Sequence, residues 1–390
     1  MALKNNTWKL NQWYDQNVAG NADYSGAQEI YSWAFSPNGQ SGRNTQGPSS
    51  RKSSPTQIGS LTTWSSISGY YDGFFYGATK TDGTLWAWGN NANGYLGQNN
   101  KTKYSSPVQV GSDTTWAISV AAAKKSGFAT KTDGTLWAWG YNARGELGQN
   151  NRTEYSSPVQ VGSDTTWPTT KNKFGGTAYS VAAIKTDGTL WSWGYNNFGN
   201  LGQNEGGPSS KYSSPVQIPG SWDTISKPTR YMQVAIKTGG TLWSWGYNTY
   251  GQLGQNLPTN SHRSSPVQVP GTTWKLVCGS ASSINATKTD GTMWAWGRNT
   301  NGILGQNNLT NYSSPVQVGS STDWDIPLQL GFIGGGIKTD GTLWSWGYNG
   351  SGHLGQNDRT SRSSPVQIPG IWVDMAASGE QGSIMAMNLI

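Results

Sequence analysis

The string KTDGTLWAWGNNANGYLGQNN at residues 80–100 returns at residues 131–151 as KTDGTLWAWGYNARGELGQNN. A chain that repeats itself at a fixed interval folds as a stack or ring of like units, so the period constrains the fold more than any other feature. The first Trp of the repeated WxWG core stands at Trp86, Trp137, Trp191, Trp243, Trp294 and Trp344, at intervals of 50 to 54 residues. A worn copy, IYSWAFSPNGQSGRN, runs from Ile30 to Asn44, with Tyr31 in place of the first Trp. Two other markers give the same count of seven. One is the proline of SSPVQ or SSPTQ, at Pro55, Pro107, Pro158, Pro215, Pro266, Pro315 and Pro365. The other is the tryptophan that follows it, at Trp64, Trp116, Trp167, Trp222, Trp274, Trp324 and Trp372.

Each unit reads as strands and turns only. The alternation around LWAWG puts Leu85 and Ala87 on one face and Trp86 and Trp88 on the other. A small face against a bulky face lets neighbouring sheets interlock, and each indole buries about 150–250 Å², an upper bound of roughly 4–6 kcal/mol at about 25 cal/mol/Å². The tryptophans therefore read as packing elements rather than as a ring of exposed sugar-binding indoles. Asp-Gly between two apolar alternations predicts a hairpin with a type I′ turn at Asp82, Asp133, Asp187, Asp290 and Asp340, with Gly239 standing for Asp in one copy. The worn first copy lacks this turn. The last segment, WVDMAASGEQGSIMAMNLI, reads like the strands that precede it. The two ends then share one unit, which predicts an all-β, seven-bladed propeller over 30–390 closed by N- and C-terminal strands in one blade. Residues 1–29, with Trp8, Trp13 and Tyr14, form an N-terminal extension, an attachment segment or an extra strand.

Composition narrows the function. Charged residues make up 12% of the chain, against about 25% in ordinary domains. A net charge of +7 without a Lys/Arg run gives no nucleic-acid tail, and no stretch of 18 apolar residues predicts a membrane span. The start has no apolar secretory core, so the expected location is a virion or the cytoplasm of the producing cell. Two separated histidines and a lone Cys278 make neither a metal cluster nor a nucleophile–base pair. No enzyme and no cofactor are expected.

The residues DGTLWAWGYNARGELGQN followed by SSPVQV resemble the regulator of chromosome condensation repeat, and the resemblance covers residues 30–390. It implies a seven-bladed propeller closed by mixed terminal strands. It also implies a range of binding roles, since the family includes a nucleotide-exchange factor for a small GTPase, a protein inhibitor of β-lactamases, and bacterial and tailed-phage proteins. The wedge associated with exchange activity has no counterpart here, the nearest insertion being NEGGPSSKYSS, and the family's Gly-x-x-His motif is missing, since His262 and His353 stand elsewhere.

The seven copies differ most between the landmark Trp and the hairpin, where a rigid scaffold would carry a binding surface. From this window the candidate partner-binding residues are Tyr70, Tyr71, Phe74, Phe75, Tyr76, Lys124, Lys125, Phe128, Lys171, Lys173, Phe174, Arg230, Tyr231, Leu328, Leu330 and Phe332. Aromatic and basic residues are common interface anchors. A second variable position, at Tyr95, Glu146, Asn200, Gln252, Ile303 and His353, reads as solvent-exposed, and the lysines Lys80, Lys131, Lys185, Lys237, Lys288 and Lys338 as flanking a solvated turn. The reading is a non-enzymatic, protein-binding propeller in a larger assembly such as a tailed-phage virion, with capsid or tail proteins as partners. A propeller lectin for surface glycans and an inhibitor or exchange-factor-like binder of a soluble protein are the alternatives.

Overall fold

The computed structural model describes residues 27–45, 47, 50–69, 74–207, 210–227, 229–377 and 383–389. The described residues form seven antiparallel sheets of four strands each. Blade 1 has its strands at Trp64–Gly69, Phe75–Lys80, Leu85–Gly89 and Tyr104–Gln109, and five further blades repeat this order. Blade 7 takes Trp372–Ala377 and Ser383–Leu389 from the C-terminal end and Gln28–Ala34 and Lys52–Gln57 from the N-terminal part. Gln28 pairs with Leu389 and Ala34 with Ser383, so the predicted shared blade closes the ring. The landmark-Trp strands of successive blades pack against one another around the axis, and the SSPVQ strands lie outermost.

The repeated letters have repeated tasks. The second Trp of each core (Trp33, Trp88, Trp139, Trp193, Trp245, Trp296, Trp346) is at most 3% exposed. Each donates its indole N–H to a backbone carbonyl of the preceding blade, at 2.7–3.0 Å: His353, Gln40, Tyr95, Glu146, Asn200, Gln252 and Ile303 in the same order. The acceptor position was expected at the surface, yet Tyr95, Glu146, Asn200, Gln252, Ile303 and His353 are all at most 3% exposed. Their side chains vary because the shared role uses only the main-chain oxygen.

The GQN triplet makes a second link. Its Asn adopts the left-handed backbone that Asn tolerates well. Asn204, at φ 59, donates its N–H to Ser264 of the next blade's SSP segment at 2.9 Å. The glycine of the same loop presses on that segment: a Cβ at Gly199 would lie 2.4 Å from the Ser264 Cα.

The hairpin differs from expectation. Gly83 has positive φ (76°) but Asp82 does not, and the Gly83 N–H bonds the Lys80 carbonyl at 3.0 Å. This is a three-residue loop ending in a left-handed glycine, not a type I′ turn. Asp82 faces the chain instead, accepting from the Thr84 N–H (3.0 Å) and hydroxyl (2.6 Å), while that hydroxyl accepts the Trp86 indole N–H at 2.8 Å. The first Trp of each core is thus half-buried at the blade edge, covered by the repeated lysine. The Lys80 ammonium lies 3.8 Å from the Trp86 ring centre. The lysines form no open cationic ring. Lys131 pairs with Asp113 at 2.5 Å and Lys338 with Asp323 at 3.0 Å, on the loop before the landmark Trp rather than on the turn.

Two predictions follow from the inter-blade position. Trp245→Phe loses indole volume and orphans the Asn200 carbonyl, whereas Trp222→Phe loses comparable volume at an indole N–H that makes no hydrogen bond. Denaturant midpoints should show Trp245→Phe the more destabilised, by about 1–3 kcal/mol beyond the shared volume loss. Glu146 is buried, with one carboxylate oxygen accepting the Arg144 N–H at 2.8 Å and the other unpartnered. The same contact is made by neutral Gln252 to Tyr250 N–H and by Gln40 to Asn38 N–H. Burial pushes the Glu146 carboxyl up to about 7. The folded chain therefore holds a proton that the unfolded chain releases nearer pH 4.5, and this stability, full below that pH, is lost as pH rises through 7. Glu146→Gln should flatten the pH 4.5–7 slope of unfolding free energy and gain roughly 3 kcal/mol at pH 8.

Candidate functional site

Antiparallel order sends the turn between the first and second strands of each blade, and the loop between the third and fourth, to one end of the ring. The Asp-Gly hairpins lie at the other end. At the first end the residue that follows each WG leaves the sheet half-buried: Phe35 (following Ala34 in blade 7), Asn90, Tyr141, Tyr195, Tyr247, Arg298 and Tyr348. Over blades 2 to 5 these residues and their neighbours build a continuous arc.

The Lys125 ammonium lies 5.9 Å from the Tyr141 ring centre. Arg144, from the long loop of blade 2, reaches onto blade 3, where its guanidinium sits 3.8 Å from the Tyr179 ring and 4.2 Å from the Tyr195 ring. One blade on, Phe198 occupies the place of Arg144 and packs on Tyr247 (4.8 Å), Tyr231 (5.1 Å) and His262 (5.3 Å) of blade 4. Tyr250 repeats the reach, with the Arg298 guanidinium of blade 5 at 4.9 Å from its ring. In blades 2 to 4 the residue just before the loop glycine therefore bridges to the next blade, and guanidinium–aromatic contacts hold the cations over ring faces. His262 accepts the Asn248 N–H at Nδ1, and partial burial lowers its ring pKa, both favouring the neutral imidazole. A smaller pair, Phe332 and Tyr348, lies on blade 6 at 6.3 Å.

The candidates from the sequence divide sharply. Phe74, Lys124, Lys125, Arg230, Tyr231 and Phe332 stand half-buried or exposed at this end, and Leu330 lines the mouth of the axial channel. Phe75, Tyr76, Phe128, Phe174 and Leu328 are at most 6% exposed and belong to the core, which corrects their assignment to the surface. Tyr76 stacks on Trp88 and donates its hydroxyl to the Ser383 carbonyl of blade 7 at 2.5 Å, and Phe75 packs on Tyr95 at 4.7 Å. The window runs into the second strand of each blade, which is covered on both faces by neighbouring sheets, so consecutive side chains such as Phe75 and Tyr76 are both buried. Lys171 points into the channel, and Lys173 pairs with Asp223 at 3.0 Å towards the hairpin end. Tyr70 and Tyr71 lie outside the described residues, as do residues 1–26 of the extension.

The arc residues Tyr141, Arg144, Tyr179, Tyr195, Phe198, Tyr247, Tyr250 and Arg298 escaped the sequence reading. Their signal was present: over blades 2 to 5 the first place of WG-Y-N-x-x-G holds Tyr141, Tyr195, Tyr247 and Arg298, and over blades 2 to 4 the fourth holds Arg144, Phe198 and Tyr250, while the Asn and Gly of the motif stay constant. Among the described residues no group of His, Cys, Asp and Glu is placed to hold a metal ion, and no helix is long and apolar enough to cross a membrane. Burial raises the Cys278 thiol, which lies within contact of the Gln329 main chain.

Comparison with known proteins follows the repeat. The family model for the Regulator of chromosome condensation (RCC1) repeat matches residues 82–129, 133–180, 187–235, 239–284, 290–326 and 340–385. Each match begins at a hairpin and ends in the next blade, in its second strand except for 290–326, which ends in the first. The Ultraviolet-B receptor UVR8 of Arabidopsis thaliana is 28% identical over 300 residues, 71% of this chain and 62% of that protein. The mitochondrial RCC1 domain-containing protein RUG3 of the same plant is 28% identical over 264 residues, 64% of this chain and 58% of that protein. The chain thus spans about three fifths of the length of these relatives. Among solved structures, Prp20p of Saccharomyces cerevisiae superposes with a TM-score of 0.79 at 16% identity, covering 94% of this chain and 92% of that one. Human WBSCR16 superposes with a TM-score of 0.78 at 18% identity, covering 93% and 99%. These superpositions carry the seven-bladed fold.

Proposed function

Because the chain belongs to the RCC1 repeat family, we propose that it is a protein-binding platform that meets a partner through the aromatic and cationic arc on blades 2 to 5. The carrying observation is the stacking of Arg144 and Arg298 on tyrosines of neighbouring blades. These side chains are ordered before any partner arrives, so docking costs little side-chain entropy. Tyrosine and arginine are also the residue types that dominate interface energetics. Lys124, Lys125, Arg144, Arg230 and Arg298 give the arc a positive field, which suits a partner with an acidic patch.

Binding of proteins is in keeping with the structural relative Prp20p, whose reported properties are binding to Gsp1p and histones, and which has been solved bound to Kap60. Those partners are its own. The lectin alternative has no observation behind it, because the second Trp of each core is buried and the first is covered by lysine. The expected place in a tailed-phage particle draws no support from relatives found in plants, yeast and mammals, and capsid or tail proteins are not argued as partners.

A photo-crosslinking amino acid at Tyr247 should capture one protein from the source cell, whereas the same probe at the exposed hairpin residue Thr238 should not. Arg144→Glu should weaken that complex by at least about thirtyfold, as expected for an interface anchor. Capture at both positions, or at Thr238 only, would refute the assignment to this face.

A further inference from the structure

The axial channel is not a through-hole. Lys171, from the segment that leads into blade 3, and Lys227 of blade 4 both extend across it to blade 7, which lies opposite them in the ring. The Lys171 ammonium pairs with the Asp374 carboxylate and donates to the Ile67 carbonyl of blade 1 at 2.6 Å. The Lys227 ammonium lies 3.6 Å from the other Asp374 oxygen and donates to the Met375 carbonyl at 2.9 Å. Both lysines line the two halves of the channel, so the triad forms a floor between them. Towards the arc the space is small, about 60 Å³. Towards the hairpin end it opens into a chamber of about 840 Å³, within the range of small-molecule sites.

The chamber has apolar walls and a charged end. Ile118, Ile225, Leu276, Ile326 and Val373 line its sides. Two ammoniums share one carboxylate at the floor, which leaves one positive charge uncompensated there. Nearer the mouth the lysines are paired, and Asp340 keeps an exposed negative charge at the rim. Lys275 pairs with Asp325 at 2.8 Å and Lys338 with Asp323, while Asp340 caps the Thr342 N–H and hydroxyl. An ammonium has three N–H donors, and the contacts of Lys171 and Lys227 leave each a donor to direct into the chamber. Burial pushes the Lys171 ammonium down from its ordinary range, against the pull of Asp374. Burial also opposes ionisation of Asp374, but the two ammoniums outweigh it and hold its carboxyl below the usual range. A bound monoanion would balance the floor, whereas a dianion would overcharge it.

We propose that the hairpin-side chamber binds a small amphipathic monocarboxylate, its carboxylate on Lys171 and Lys227 and its hydrocarbon body against the apolar wall. The site lies at the opposite end of the ring from the partner-binding arc, and the proposal does not depend on that arc. Sodium octanoate and its neutral counterpart 1-octanol, titrated calorimetrically into the full chain, provide the test. Octanoate should bind saturably at one site and 1-octanol at least about tenfold more weakly, since only the anion satisfies the floor. Lys227→Met leaves a neutral Lys171–Asp374 pair and should cost octanoate at least about tenfold in affinity, with little change for octanol. Equal binding of acid and alcohol by the unaltered chain, or no saturable octanoate binding, would overturn the proposal without recourse to any variant. Undiminished octanoate binding by Lys227→Met would overturn the role of the floor.

Discussion

An indole N–H reaching a main-chain carbonyl of the preceding blade is the contact on which the structure depends. It occurs once at each of the seven blade boundaries, including the one that joins the terminal strands to blade 1. Buried polar groups need partners, and each such hydrogen bond adds about 0.5–1.5 kcal/mol. Its larger effect is positional. The bond fixes where one blade's loop sits over the next blade's sheet, and that loop carries Arg144, Phe198 or Tyr250 onto the neighbouring blade. A packing device inside the ring thereby sets the spacing of the binding arc on its surface.

Fold and function divide along this line. Because the acceptor is a backbone oxygen, the side chain at that position is free to vary, and it holds Tyr, Glu, Asn, Gln, Ile and His across the blades. The Asn of GQN and the serine of SSP also interact through the main chain. Variation read along the sequence is therefore not the same as exposure. Glu146 shows the cost of ignoring this: an acidic residue that reads as surface is buried, and burial pushes its carboxyl up to about 7, towards the neutral state of its Gln counterparts.

The blade count, the shared closing blade and the role of the second Trp were legible because they rest on period and alternation. The turn type was not, since Asp-Gly serves both a type I′ turn and the three-residue loop found here, and the deciding contact is the Thr84 hydroxyl two residues on. Of the candidate residues, Phe74, Lys124, Lys125, Arg230, Tyr231 and Phe332 are half-buried or exposed at the loop end of the ring. Phe75, Tyr76 and Phe128 were misplaced because the second strand of a blade is buried on both faces between neighbouring sheets, so its aromatics are covered whichever way they point. The bridging of Arg144 to Tyr179 and Tyr195, and the meeting of Lys171, Lys227 and Asp374 across the channel, join residues 35 to more than 200 positions apart. Side-by-side packing of blades 2 and 3 makes the first contact, and closure of the ring brings the second group together.

Repeat architectures often open unit by unit, because each unit touches only its neighbours. A ring fastened at all seven boundaries should open as one. Hydrogen–deuterium exchange of the seven second-Trp indole N–H groups, followed individually by NMR, measures this directly. The account predicts that all seven exchange through a single opening with the free energy of global unfolding. Exchange at separate rates, with individual blades opening well below that free energy, would contradict it.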